Sequence, residues 1–600
     1  MKKEIRDNMI IEWDVEIKMD DGVVLRADVF RPIKEGKYPV ILSYGPYGKG
    51  LHFSIGYPFQ WQRLKQIPEV FQGSSGKYMN WETVDPEKWV PDGYVIVRVD
   101  SRGAGRSEGF LDPLSSRETK DLYNCIEWAA EQPWSNGKIG LAGISYYAIN
   151  QWAVASLKPP HLAAICPWEA AADFYRDMTY HGGIPSTAFW RVWYENQVVK
   201  VQHGVGERDP VNPINGELVA GPETLPDEEL RKRRVDMEKI ILDHPLYDQF
   251  HKDRSPDWSK IEVPLLSCGN WGGLGLHLRG NVEGFIMSAS KEKWLEIHGR
   301  EHWIEFYTNY GVQLQKKFFD YYLKGIENGW KETPRVILWI RHVDGSYKLR
   351  AENEWPIGRT RWTKLYLNPE NLTLEFDKIE KESNVEYESL GDGVTFLLPP
   401  LQEDTEITGP ISAKLFISSS TSDADIFLTL RAFSPSMKEV FFYDYLDPHT
   451  PLSHGWLRAS HRKLDERLST EWRPYHTHDE LNYLTPNEIY ELDIELWPTC
   501  VYLPKGYRIG LTIGGKDFEY SGEPVRLGHF LMSGSGPFYH EVGDFFRRPK
   551  NIYGGKIRIY GGKNKASYLL LPIVPPRDPE EQKKLDEKIS WLAKHMRVKE

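Results

Sequence analysis

The stretch Lys138–Ser156, KIGLAGISYYAINQWAVAS, decides the fold. An apolar run ends at Ile144, Ser145 follows, and a helix-forming run begins at once. A strand feeding a sharp turn and then a helix lifts the turn residue clear of a sheet. The helix N-terminus behind it favours negative charge. Glycines flank a serine on such a turn because neighbouring backbones crowd there. Gly143 fills the first position of a G-x-S-x-G pattern, but Tyr147 stands at the last. An intact G-x-S-x-G lies earlier, in GAGRSEG, centred on Ser107. There FLDPLSSRE intervenes before any helix, so the letters match and the context does not. Context favours Ser145 as a nucleophile and makes Ser107 a loop residue. The bland reading of Ser145 is a small residue capping the helix.

Working outward, the same rhythm repeats. VVLRADVFRP, YPVILSYG and GYVIVRVDSRG read as strands, and TKDLYNCIEWAAEQ as a helix with Leu122, Ile126 and Ala129 on one face. LAAICPWE follows the elbow helix as another strand. Short apolar strands alternating with helices imply a parallel sheet covered on both faces, here over residues 1–168. Residues 169–258 break the rhythm and read as a helical cap, with PDEELRKRRVDMEKIILDHPLYDQF as one helix. The α/β pattern returns over 259–333 with VPLLSCGNW, KWLEIHG and the helical run WIEFYTNYGVQLQKKFFDYYLKG. From 334 to 574 period-two alternation takes over. In YELDIELW, Leu492, Ile494 and Leu496 oppose Glu491, Asp493 and Glu495; in YRIGLTIGG, Ile509, Leu511 and Ile513 form one row. Such strands between turn-rich segments predict a β-sandwich. Residues 575–600 read as a charged helical tail with Leu585, Ile589, Leu592 and Met596 on one face. That face suits the body of the protein or a partner chain, so a homo-oligomer is compatible with it. The fold class expected is therefore α/β plus all-β.

At 600 residues the chain needs two to four domains. With 40% hydrophobic and 27% charged residues it has an ordinary globular composition. A net charge of −11 argues against a nucleic-acid partner, which needs a basic surface. No stretch approaches the roughly 20 apolar residues of a membrane span, and the opening residues contain no apolar signal segment. The four cysteines, Cys125, Cys166, Cys268 and Cys500, lie far apart, which suits buried free thiols in a cytoplasmic protein. There is no C-x-x-C pair, and no cofactor motif stands out.

These residues resemble the cocaine esterase and X-prolyl dipeptidyl-peptidase group of serine hydrolases. SYGPYGK, VDSRGAGRSEG, GISYYAINQW, ITGPISAKLFISSSTSDADIFLTL and GWLRASHRK carry the resemblance, in order along nearly the whole chain. It implies an α/β-hydrolase core, a helical cap and a C-terminal jelly roll. It also implies Ser145 as nucleophile, with the Tyr47 hydroxyl and the Tyr146 backbone N–H as oxyanion donors. Such donors typically contribute roughly 3–4 kcal/mol each. The family histidine falls on His302 in HGREHW, with His298 as competitor, or as a surface loop residue. Their i, i+4 spacing would suit a metal on a helix, but no further ligand is marked out, so no metal is expected. The family aspartate position, in GNWGGLG, is Gly273. A base needs an orienting carboxylate. Glu169, ending the strand AAICPWEAA, is the favoured replacement and Glu283 the alternative; Asp173 matches a cap-entry position. The function implied is cleavage of a small acyl ester, amide or short peptide through an acyl-enzyme. Two alternatives stand beside it. One is a binding protein with a decayed site. The other is a carbohydrate-directed esterase whose β-domain presents aromatics from FFYDYLD and GHFLMSGSGPFYHE.

Overall fold

In the computed structural model, which describes residues 2–597, the α/β expectation becomes one eleven-stranded sheet. Its first strands are β1 (Lys2–Arg6), β2 (Met9–Lys18), β3 (Val24–Pro32), β4 (Tyr38–Gly45), β5 (Val95–Asp100), β6 (Ser135–Ile144) and β7 (Leu162–Trp168). A small hairpin, β8 (Tyr180–His181) and β9 (Ile184–Pro185), stands in the cap. The sheet resumes with β10 (Leu265–Asn270), β11 (Lys293–His298), β12 (Val336–Arg341) and β13 (Tyr347–Glu352). The order is β1-β2-β3-β5-β4-β6-β7-β10-β11-β12-β13. Neighbours from β5 through to β12 are parallel. Every residue of β5 and β10 is buried, as strands covered on both faces require. The helices Ser116–Ala130, Tyr146–Ala155, Leu278–Met287 and Asn309–Lys324 accompany the strands. Consequently the carboxyl ends of β6, β7, β10 and β11 lie side by side. That edge is where open α/β sheets place their chemistry.

Several expectations need correction. The boundary at 334 is displaced: β12 pairs in parallel with β11, and β13 continues the same sheet in antiparallel. All six residues of β12 are buried, so the alternation that marks a one-sided strand is absent there. The all-β half begins with the strand Arg361–Asn368. In the cap, the run read as one helix is three short ones, Asp227–Lys232, Met237–Leu242 and Gln249–Lys252. The backbone at Arg233 and Val235 bonds to Leu111 instead of continuing the first helix, and Asp236 caps the next by accepting from Lys239 N. The helix expected from Trp303 starts at Asn309, where Thr308 accepts from Gly311 N.

The second half is built on an eleven-stranded all-β sheet that closes on itself, with two two-stranded hairpins beside it. Its last strand, Tyr568–Ile573, pairs with both Arg361–Asn368 and Thr405–Ser419. Closure removes the open edges of those strands. Leu492, Ile494, Leu496, Ile509, Leu511 and Ile513 all fill its core, as the alternation indicated. The tail packs on the body: Ile589 and Leu592 are buried in the α/β core, and Asp586 accepts from Ala351 N in β13 at 2.8 Å. All four cysteines are free and buried. No helix among the described residues is long and apolar enough to cross a membrane.

Gly280 fixes one contact that matters for the site. A Cβ there would meet Ala170 O, Ala171 C and Ala172 N at 2.5 Å, all backbone atoms. The helix Leu278–Met287 is thus pressed directly on the segment that follows Glu169. Gly280→Ala should destabilise by roughly 1–3 kcal/mol, read as a lower Tm in thermal denaturation. An unchanged Tm would show that the two segments separate freely.

Candidate active site

Ser145 occupies the turn between β6 and the helix Tyr146–Ala155 with φ +56° and ψ −113°, a strained conformation for a residue with a side chain. Gly143 is required just before it. Its φ is +152°, and a Cβ would meet Tyr147 Cβ at 2.4 Å. Tyr147, at the usual glycine position, is accommodated because its ring lies over Gly45 at the end of β4. A Cβ on Gly45 would come within 2.5 Å of that ring. Ser107 is elsewhere and structural: its hydroxyl donates to Asp100 O at 2.6 Å and accepts from Arg26 N at 2.9 Å.

The hydrogen-bond partner of Ser145 is not His302. Ser145 Oγ lies 2.8 Å from Nε2 of His277, a residue the sequence reading missed. His277 ends the loop after β10, four residues past Gly273. Its Nδ1 meets Tyr445 Oη at 2.5 Å. Tyr445 comes from the all-β half, in a loop whose Asp444 accepts from Arg300 N at 2.7 Å and pairs with Arg341 of β12 at 3.0 Å. Gly273 itself has little room for a side chain, since a Cβ would meet Leu278 N at 3.1 Å and Asn270 O at 3.2 Å.

His302 and Glu169 do meet. Glu169 follows β7 at φ +48° and is fully buried. Its Oε2 accepts from His302 Nδ1, and its Oε1 from His298 Nε2 at 2.8 Å and from Asn270 Nδ2 at 2.9 Å. The other nitrogen of His302 faces Glu82 Oε1 at 2.7 Å, and that of His298 faces Glu296 Oε2 at 2.9 Å. His298 is therefore a fully buried residue at the end of β11, not a loop residue on the surface, and it is not on a helix with His302. Glu82 is a second residue the sequence gave no sign of. Glu283 is held elsewhere, by Arg473 of the all-β half at 2.5 and 2.8 Å. Asp173 accepts from Tyr175 N and Arg176 N at the cap entry.

Glu82, His302, Glu169, His298 and Glu296 thus form a chain of three carboxylates bridged by two imidazoles. Its four bridging bonds require four N–H groups when the carboxylates are ionised, so both imidazoles carry two. The pKa directions agree. Against the cost of burial, the His302 charge and hydrogen bonds from His298 and His302 hold Glu169 at about 2. Against the same cost, Glu169 and Glu82 raise His302 to about 9, and Glu296 and Glu169 raise His298 to about 10. Burial pushes Glu82 up to about 7, with His302 restraining it. His277 behaves oppositely: burial and then the His302 charge push it well below the ordinary histidine value, with Glu169 opposing. At neutral pH His277 is the neutral imidazole and His302 the cation, although their rings lie parallel within 3° at 5.0 Å.

Of the two residues expected to donate to an oxyanion, Tyr146 adjoins Ser145 and Tyr47 packs its ring against that of Tyr146. Tyr146 opens its helix, so its backbone N–H lies outside the helical ladder. Tyr47 Oη accepts from Trp193 Nε1 at 3.0 Å, and its ring contacts those of Tyr146 and Tyr147. Burial, then the Glu82 charge, raises its pKa well above the ordinary range and keeps its proton in place. Tyr57 and Trp81, stacked at 4.2 Å, extend an aromatic wall from Tyr47 toward His302. Phe189 of the cap meets Phe530 and Phe538, and Phe538 meets Tyr445. The β-domain aromatics here line the cap and the site. Glu169, His277 and His302 offer atoms within 4.8 Å of one another, as a metal would need. All four ring nitrogens of the two histidines nevertheless have protein partners. The chemistry this arrangement supports is proton transfer at Ser145.

Comparison with known proteins adds the lineage of these parts. Residues 21–303 match the model for X-Pro dipeptidyl-peptidase (S15 family), and residues 328–570 that for the X-Pro dipeptidyl-peptidase C-terminal non-catalytic domain. A solved CocE/NonD family hydrolase from Staphylococcus aureus is 35% identical, with 94% of each chain covered and a TM-score of 0.80. Cocaine esterase from Rhodococcus sp. (strain MB1 Bresler) is 24% identical over 94% of this chain and 99% of its own. A putative Xaa-Pro dipeptidyl-peptidase from Bacillus anthracis is 21% identical over 87% of this chain and 85% of its own.

Proposed function

From the premise that the chain belongs to the cocaine esterase and X-Pro dipeptidyl-peptidase (S15) family of serine hydrolases, we propose that it cleaves a small acyl ester, amide or short peptide through an acyl-enzyme on Ser145. The observation that carries this reading is the 2.8 Å contact between a strained elbow serine and a neutral, buried imidazole. His277 takes the Ser145 proton on Nε2 as Oγ attacks the carbonyl carbon, then returns it to the leaving group. For that, His277 Nδ1–H must donate to Tyr445 Oη, which fixes the tautomer in the way a triad acid does. Within the cluster behind it, Glu169 favours the imidazolium that forms and the His302 charge opposes it. Three carboxylates and two imidazolium ions leave that cluster one negative charge once Glu82 is ionised. Tyr47 Oη–H and Tyr146 N–H take the oxyanion.

The aromatic wall of Tyr47, Tyr57 and Trp81 suits an apolar acyl group. The closed all-β half fits the family's jelly roll, here lending Tyr445 to the site. A fluorophosphonate tests the reading without knowledge of the natural substrate. One adduct on Ser145, found by intact mass and peptide mapping and absent in Ser145→Ala, is expected. Its rate should rise as pH passes through about 7, where Glu82 ionises. No adduct on the folded protein would favour a binding protein with a decayed site. An adduct on Ser107 would move the nucleophile.

A further inference from the structure

A second buried chain of titratable groups ends at the loop that carries His277. Asp517 Oδ1 lies 2.8 Å from His540 Nδ1, and His540 Nε2 lies 2.8 Å from His181 Nδ1. His181 Nε2 lies 2.8 Å from Gly275 O, two residues before His277. Asp517 and His540 belong to the all-β half and His181 to the cap strand β8, so the chain spans three parts of the molecule. His181 is stacked on Trp456 at 4.5 Å, and the edge of Phe427 meets His540 at 5.2 Å. His181 is 1% exposed and His540 4%.

Counting protons decides the state of this relay. A carbonyl oxygen only accepts, and so does an ionised carboxylate. The three bonds between these two ends need three protons, whereas two neutral imidazoles bring two. One extra proton is therefore resident. It lies in the bond between the two imidazoles, with Asp517 held ionised at the far end: against burial, the His540 charge and hydrogen bonds lower its pKa. His181 stays neutral, since burial, then the His540 charge, brings it down to about 3. Other charged or titratable groups facing His540 are Arg548, which bonds its carbonyl at 2.6 Å and pairs with Asp425, and the nearby His454. If the extra proton leaves, one of the three bonds must be lost. Inverting the His181 tautomer would set its lone pair against the Gly275 carbonyl.

We propose that Asp517, His540 and His181 are positioning residues for catalysis: a relay, complete only with its extra proton, that pins the Gly275 carbonyl and thereby aims His277 at Ser145. The proposal rests on His277 being the base. It predicts an alkaline limb in the reactivity of Ser145 that belongs to residues away from the reacting atoms.

The test follows fluorophosphonate labelling of Ser145 against pH in the full chain. Asp517→Asn keeps an acceptor but removes the charge that retains the extra proton. Its alkaline limb should move down by about one pH unit or more, with near-UV circular dichroism unchanged. His181→Gln can donate to Gly275 at any pH and should erase the relay's contribution to the limb. A folded Asp517→Asn with the wild-type profile overturns the inference. Should Asp517→Asn not fold, a wild-type profile in His181→Gln does so alone. Failure of the wild type to label would instead overturn the reading of Ser145 and His277.

Discussion

Alanine in place of His277 should slow acylation of Ser145 by about 10⁴-fold or more, with binding of the acyl group little affected. Only one of the two imidazoles has a lone pair to offer. His302 Nδ1 and Nε2 both face carboxylates, so both hold protons, and its pKa of about 9 keeps them through neutral pH. A doubly protonated ring accepts nothing from a serine. His277 is neutral, and its Nε2 stands 2.8 Å from Oγ. Comparing phosphonylation rates of His277→Ala and His302→Gln separates the two. Labelling that survives in His277→Ala and vanishes in a folded His302→Gln would return the base to His302.

Glu169→Gln should lower kcat by about 10²–10⁴-fold with KM little changed, and should also cost stability. Glu169 separates two imidazolium ions in a dry interior, so its loss leaves buried charges unpaired. Breaking such a pair typically costs about 3–5 kcal/mol. The pH dependence has a definite sign. The Glu169 carboxyl lies near 2 instead of 4.5, so its contribution is present above pH 4.5 and is lost as pH falls through about 2. His302 and His298 lie near 9 and 10 instead of 6.5, so theirs is whole below pH 6.5 and is lost as pH rises through 9 to 10. These are two views of the same contacts and do not add. The Tm advantage of wild type over Glu169→Gln should therefore be flat between about pH 4.5 and 6.5 and shrink on either side. A difference that grows above pH 10 would contradict the assigned charges.

Much of this was legible along the chain because it depends on local pattern. The elbow at Ser145 is a strand-to-helix transition with Gly143 where a Cβ would clash. The rows Leu492–Leu496 and Ile509–Ile513 announce their sheet by period. The closeness of Glu169 and His302 follows from their places just beyond β7 and β11, the two strands that flank β10. What escaped has no local sign. His277 lies 132 residues from Ser145 and Tyr445 a further 168 away, and neither sits in a motif of its own. Glu82 reaches His302 across 220 residues. β12 carries no mark of the sheet it joins because a fully buried strand shows no alternation. The cap helix broke at Val235 because of Leu111, more than a hundred residues earlier.

That Tyr445 comes from the all-β half gives the molecule a built-in delay. During synthesis every strand of the first sheet has emerged once β13 is made, with Ser145 and His277 already present. The hydroxyl proposed to set the tautomer of His277 is then still almost a hundred residues from being made. A reactive serine exposed on a half-finished chain would be a hazard to its surroundings. If Tyr445 sets that tautomer as proposed, reactivity arrives with the docking of the second half, and a fragment released before that point would be a harmless one.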